Sequence, residues 1–189
     1  TILSMNTPKH SVNENDIPTE LSKKIDFRFV AVDTAIKPGA LLKNLFFSRY
    51  PYIAERFISD TYKSTLQQLL CSKNFDIVQL ESPYLFYYLP EIRRNSKALV
   101  AYRAHNIEHE IWGRKSLHEK NFFRKKYFSI LSQRVENLEK NCINTYDLLI
   151  PITSHDLDRF NSWGNTKPSL VAPYGAEVQE TTRDNTVLS

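Results

Sequence analysis

Arg103, His105, Asn106, Glu108 and His109 follow directly on an apolar, strand-prone run from Ala98 to Tyr102. An imidazole beside a guanidinium, an amide and a carboxylate can bind, orient or protonate a polar substrate. Open parallel sheets place such groups at the carboxyl ends of their strands. Two chemistries compete for this stretch. Spelled out, His105 to His109 reads H-x-x-E-H, in which two histidines one helical turn apart hold zinc and the glutamate acts as base. That arrangement requires both histidines on one regular helix, yet the residues before His105 favour a strand. In the second chemistry His105 sits at a strand end, just before the positive N-terminus of the next helix, and meets a sugar hydroxyl or a leaving phosphate. Arg103 then offers a planar fork to an anion. Glu108 and His109 take supporting roles. Side chains alternate along a strand, so Arg103 and His105 share one side and Tyr102 faces the other. A structural histidine satisfied by its neighbours is the plain alternative to both.

Positioning these groups requires strands and helices in alternation, and the pattern supplies them. Ile2 to Asn6, Ile25 to Asp33, Phe75 to Leu80, Ala98 to Arg103, Leu148 to Thr153 and Ser169 to Ala172 read as strands. Helical spacing runs from Ala40 to about Ser72, with a break at Pro51, after a turn at Pro38-Gly39. A short helix from Tyr84 to Leu89 and a turn at Arg93-Arg94-Asn95 precede the fourth strand. A long helix from about Asn121 to Ile143 carries Phe123, Tyr127, Leu131, Val135, Leu138 and Cys142 as one apolar stripe, read as core. Thr153 or Ser154 caps a last helix that Gly164 ends. Continuous apolar strands between helices predict an α/β, Rossmann-like fold, a mostly parallel sheet with helices on both faces. The strand ends at Glu81-Ser82, Thr153-Ser154 and Tyr174-Gly175 then converge with His105 on one crevice. For Thr153-Ser154 a simple helix cap is the stronger reading, and Gly175 reads as serving backbone geometry. Among four glycines there is no G-x-G-x-x-G and no phosphate-loop lysine, so the usual dinucleotide and ATP sites are absent.

A net charge of +4 is too small to argue for nucleic acid, and none is expected as a partner. The charge is uneven, however. Ten basic residues stand against four acidic ones between Glu91 and Lys126. This is either a solvated face or a surface for anionic lipid, phosphate or another polyanion. Cys71 and Cys142 form no C-x-x-C, and two lone thiols suit a reducing, cytoplasmic setting. No apolar run is long enough to span a bilayer, and no secretory signal is evident. An opening already strand-like at Thr1 and a polar close from Val178 to Ser189 suggest a segment of a longer protein. Residues 1–177 are expected to form one domain, truncated at its start, and 178–189 a polar tail or the beginning of a linker.

The strand Ala98 to Arg103 running into His105-Asn106, the step from Tyr146 through Ser154 to Phe160, and Val171-Ala-Pro-Tyr-Gly-Ala176 together resemble the amino-terminal domain of GT-B-fold, family-four retaining glycosyltransferases. The likeness covers about the last two thirds of the chain, and bacterial makers of surface polysaccharide are nearest, in the stretch Arg103 to Trp112. The resemblance implies half of a two-domain enzyme that moves a sugar from a nucleotide-sugar donor to a glycan or lipid-linked acceptor, with no cofactor and no metal. His105 would contact the transferred sugar or the acceptor, and the helix after it would help hold the anionic leaving group. Arg103, Asn106, Glu81, Ser82, Thr153, Ser154, Tyr174 and Gly175 would line the substrate site. Family members usually begin with a strand and a glycine-rich loop, which do not appear here. Ala176 and Glu177 stand where Val-Asp is common, and the carboxy-terminal domain is missing. The segment alone is therefore expected to be inactive. The basic, aromatic run Phe122 to Phe128 would rest on an anionic membrane, a peripheral position on its inner face. The alternatives are a zinc hydrolase built on His105, Glu108 and His109, and a non-catalytic module that binds a polyanion.

Overall fold

A computed structural model describes residues 1–175 of the chain. The chain alternates strand and helix as β1 (Ile2–Asn6), α1 (Thr19–Ser22), β2 (Phe27–Ala31), α2 (Pro38–Phe47), α3 (Tyr52–Glu55), α4 (Asp60–Ser72), β3 (Ile77–Leu80), a three-ten helix (Pro83–Tyr88), α5 (Leu89–Asn95), β4 (Leu99–Ala104), α6 (Glu108–His118), α7 (Phe122–Cys142), β5 (Leu148–Pro151) and α8 (Ser154–Ser162). Every strand pair is parallel, and the fold is α/β and Rossmann-like, with helices around parallel strands. The strands form two sheets, however: β1 pairs with β2, and β4 lies between β3 and β5. The expected single sheet is thus divided between β1 and β3.

Proline explains several departures from the expected elements. Pro38-Gly39 is not a free turn but the first turn of α2, because proline at that position loses no helical hydrogen bond and presets φ. Pro90 does the same for α5, so Arg93, Arg94 and Asn95 are helical rather than a turn. Ser169 to Ala172 makes one bridge, Leu149 to Ser169, with hydrogen bonds from Leu170 N–H to Leu149 and from Ala172 N–H to Pro151. Pro168 and Pro173 bracket these four residues, and a prolyl nitrogen cannot extend a ladder. The expected break at Pro51 is observed, between the end of α2 and the start of α3. Gly164, with φ of 89°, follows α8 as expected.

The core lies on the second sheet. Val100 and Leu149 are fully buried, Tyr102 stacks edge-on to Phe86 and Phe160, and Val30, Leu66, Ile92 and Tyr146 pack around them. In α7 the expected stripe divides. Four-residue steps drift by about 40° each around a helix, so Phe123 and Val135 end about 120° apart. Leu131, Val135 and Cys142 are buried, whereas Phe123 is 80% exposed. Phe123 does not belong to the core. α6 and α7 pack as an antiparallel pair, with Ser132 Oγ donating to the carbonyl of His109 and Ser116 Oγ to that of Lys125. Gly113 faces this contact, and a Cβ there would lie 3.4 Å from Ser132 Oγ.

Candidate functional site

β4 ends at Ala104, level with Pro151 of β5, so His105 and Asn106 leave the sheet beside Ile152 and Thr153. Leu80 lies level with Tyr102, which places Glu81 beside Arg103 at the same edge. His105 joins these ends. Its Nε2 lies 2.6 Å from Glu81 Oε2. A carboxylate only accepts, so Nε2 donates to Glu81, and Nδ1 is hydrogen-bonded to the Tyr174 hydroxyl. The two rings stack 14° from parallel. Arg103 places its guanidinium 5.4 Å from the centre of the Tyr174 ring, and its Nε has no partner among the described residues. Tyr174 is 61% exposed and reaches back over the strand ends after Ala172 has passed β5. The other oxygen of Glu81 is taken by the Gln79 amide.

Glu81, Arg103, His105 and Tyr174 therefore meet, as the sequence predicts. Ser82 and Thr153 serve local geometry: Ser82 Oγ accepts from the N–H of Tyr84, and Thr153 Oγ1 from the N–H of Asp156, at 3.3 and 3.0 Å. Ser154 is the exposed first residue of α8, and Asn106 is exposed at the crevice without joining the cluster. Gly175 does not serve backbone geometry as expected, since an added Cβ would meet nothing within 4 Å and its φ lies outside the left-handed region. Ala176, Glu177 and the expected tail lie outside the described residues.

His105 and His109 do not form the one-helix pair that a zinc reading requires. His105 precedes α6, whose first residue is Glu108, and it faces Glu81. His109 lies inside α6 and turns to Glu139, with Nδ1 2.8 Å from Oε2, and to the Trp163 ring.

Glu139 is the residue that motif reading missed. It is 1% exposed, and its two oxygens accept the backbone N–H groups of Glu108 and His109 at 2.7 and 3.1 Å. These are the first donors of α6, the groups expected to hold an anionic leaving group. They are already satisfied by an internal carboxylate, so the N-terminus of α6 is closed to a substrate phosphate. A signal was present: Glu139 stands four residues after Val135 and three before Cys142, a carboxylate in an apolar stripe. Burial pushes the Glu108 carboxyl above its usual range, opposed by the Tyr84 hydroxyl 3.1 Å away, while nearby Glu139 adds to the rise. Burial likewise pushes the Cys142 thiol up to about 12, which makes it a core residue and a poor nucleophile.

The fold and this edge define a Rossmann-like α/β protein with a histidine-centred polar cluster at the carboxyl ends of parallel strands. No family model, curated protein or solved structure matches the chain. No helix is long and apolar enough to cross a membrane among the described residues.

Proposed function

We propose that this chain is the acceptor-side half of a glycosyltransferase that takes a sugar from a nucleotide-sugar donor and places it on a glycan or lipid-linked acceptor. The observation that carries the reading is the grouping of Glu81, His105, Tyr174 and Arg103 over the carboxyl ends of β3 and β4. Glu81 holds the imidazole in one tautomer and orientation. Displacement of the exposed Tyr174 frees Nδ1 to accept a hydrogen bond from a sugar hydroxyl, and Arg103, the cation of the cluster, stands ready for a phosphate. In the reaction the acceptor oxygen bonds to the anomeric carbon, the bond from that carbon to the diphosphate oxygen breaks, and the acceptor proton passes to the departing diphosphate. Binding both partners in one crevice supplies the proximity that the step needs. A second Rossmann-like domain would complete the donor site, and retention of anomeric configuration follows from the resemblance alone. No cofactor or metal enters this scheme.

A membrane-borne acceptor is supported by a surface that the core does not use. Phe122 and Phe123 are 74% and 80% exposed at the start of α7, beside Lys120, Arg124, Lys125 and Lys126. Phe46 and Phe47 are exposed at the end of α2. Arg134 fastens that end to α7 through the carbonyls of Asn44 and Leu45, at 3.2 and 2.8 Å. Arg134 and Phe123 lie within about 20° of one another around α7 and about 16 Å apart along it. Aromatic rings flanked by cations suit the headgroup layer of an anionic bilayer.

The test is NMR titration of the full-length protein, with both halves of the donor site, against a panel of nucleotide-sugars. Binding that shifts the His105 ring and the Tyr174 hydroxyl environment supports the reading. A panel that leaves both unmoved while the protein stays folded contradicts it.

A further inference from the structure

The division between the two sheets is a slot of about 870 Å³. On one side it is lined by Ile2, Leu3, Ser4 and Met5 of β1, on the other by Ile77, Val78, Gln79 and Leu80 of β3. A strand that offered one face would contribute every second residue. Consecutive residues from both strands mean that two strand edges, with their backbone groups, border the slot.

Hydrogen-bond parity agrees. Ile2 N–H donates to Asp26 and Val32 N–H to the carbonyl of Asn6, both at 2.8 Å, so the even-numbered residues of β1 point their backbone toward β2. Leu3 and Met5 point theirs into the slot. Leu99 N–H donates to Asp76 at 2.9 Å, so Asp76, Val78 and Leu80 face β4, and Ile77 and Gln79 face the slot. Among the described residues the only partner of these inward groups is the Tyr62 hydroxyl, 3.4 Å from the carbonyl of Leu3. Apolar side chains line it, from Leu66 and Leu70 of α4 to Phe57, Leu85 and Ile92, and Glu81 at the mouth is the one charged side chain among the lining residues.

We propose that this slot receives an extended, apolar polypeptide strand that lies parallel to β1 and β3 and joins the two sheets into one. A strand is the occupant that satisfies both borders, because its N–H and C=O groups alternate between two neighbours at sheet spacing. A lipid chain or other apolar molecule would fill the volume and leave two rows of backbone groups unpaired. An apolar lining calls for an apolar strand, as in the interior of parallel sheets. β1 spans five residues, so five inserted residues match its length. The parallel direction brings the carboxyl end of the occupant out beside Glu81, and through Glu81 beside His105.

The test is amide hydrogen exchange read by NMR, with a capped peptide of five successive valines and isoleucines between terminal lysines as the probe. Peptide is expected to slow exchange at Leu3, Met5, Ile77 and Gln79 by roughly ten-fold or more. Ser4 and Val78, already paired within their sheets, are expected to stay unchanged, and the His105 ring signals to move. The same peptide N-methylated at all five residues keeps its side chains and loses pairing on both edges, and it is expected to protect none of the four amides. Absence of protection with the parent peptide, or equal protection with the methylated one, would overturn the proposal. So would protection that rises with protein concentration before peptide is added, since the occupant would then be a second copy of this chain.

Discussion

β4 and β1 are both short parallel strands of apolar character, yet they sit in different environments. β4 has a neighbour on each edge and is buried at Val100, Ala101, Tyr102 and Ala104. β1 has one neighbour, and none of its five residues is buried. β3, across the slot from β1, buries only Leu80. The difference shows that apolar composition alone does not set burial: Ile2 and Ile77 are as apolar as Val100 and remain about half exposed. It also separates a rigid half, which holds the histidine cluster, from a bordering half with unpaired backbone.

The sharpest way to break this comparison is paired truncation. Leu149→Ala in β5 removes a fully buried side chain and is expected to cost about 3 kcal/mol in urea denaturation. Ile2→Ala in β1 removes a half-exposed one and should cost less than about 1 kcal/mol. Equal losses would mean that β1 is packed as tightly as β5. Nearly as large is the effect of Glu139→Ala, which leaves the first donors of α6 and the His109 ring unpaired in the rigid half. About 2 kcal/mol is expected, together with faster exchange at the amides of Glu108 and His109.

Acid tests the bordering half. Lys73 and Arg28 hold the Asp26 carboxyl down to about 2, and Lys63, Gln67 and Arg94 do the same for Glu91. Asp26 ties the start of β2 to the end of α4, and Glu91 ties α5 to α4. Both folded values lie below the unfolded ones, so the unfolded state binds more protons in the acid range and stability falls with pH. Their contribution is present above about pH 4.5 and disappears toward pH 2. Glu91→Gln should lower the melting temperature at pH 7 and flatten the decline between these limits. An unchanged slope would show that the pairs are screened out in solution.

The smallest effect on stability is expected where the surface is proposed to work. Phe122→Ser with Phe123→Ser exposes nothing new and should change unfolding by less than about 0.5 kcal/mol. Sedimentation with vesicles containing anionic lipid should nevertheless drop several-fold. Retained sedimentation would remove these rings from the membrane reading.

The succession of strands and helices and the convergence of Glu81, His105 and Tyr174 were legible because parallel strands bring their carboxyl ends together wherever the apolar runs fall. Three features were not. The division between β1 and β3 depends on which edges find partners, and a periodicity carries no record of that. Phe123 looked like core because i+4 spacing resembles a stripe until its angular drift accumulates. The capping role of Glu139 joins residues 30 and 31 positions apart, and only packing of α7 against α6 brings them together. The expectation that α6 would hold an anion failed for the same reason, since a distant carboxylate already occupied that N-terminus.

Under the proposed function His105 works at this edge rather than merely packing there. The most direct test of this role is sugar transfer from labelled nucleotide-sugars by the protein at its natural length, comparing wild type with His105→Ala and recording melting temperature alongside. Transfer is expected to fall at least about 100-fold, on the scale of losing a positioned acid–base or hydrogen-bonding group, with the melting temperature unchanged. Transfer at the wild-type rate by a folded His105→Ala protein would contradict that role.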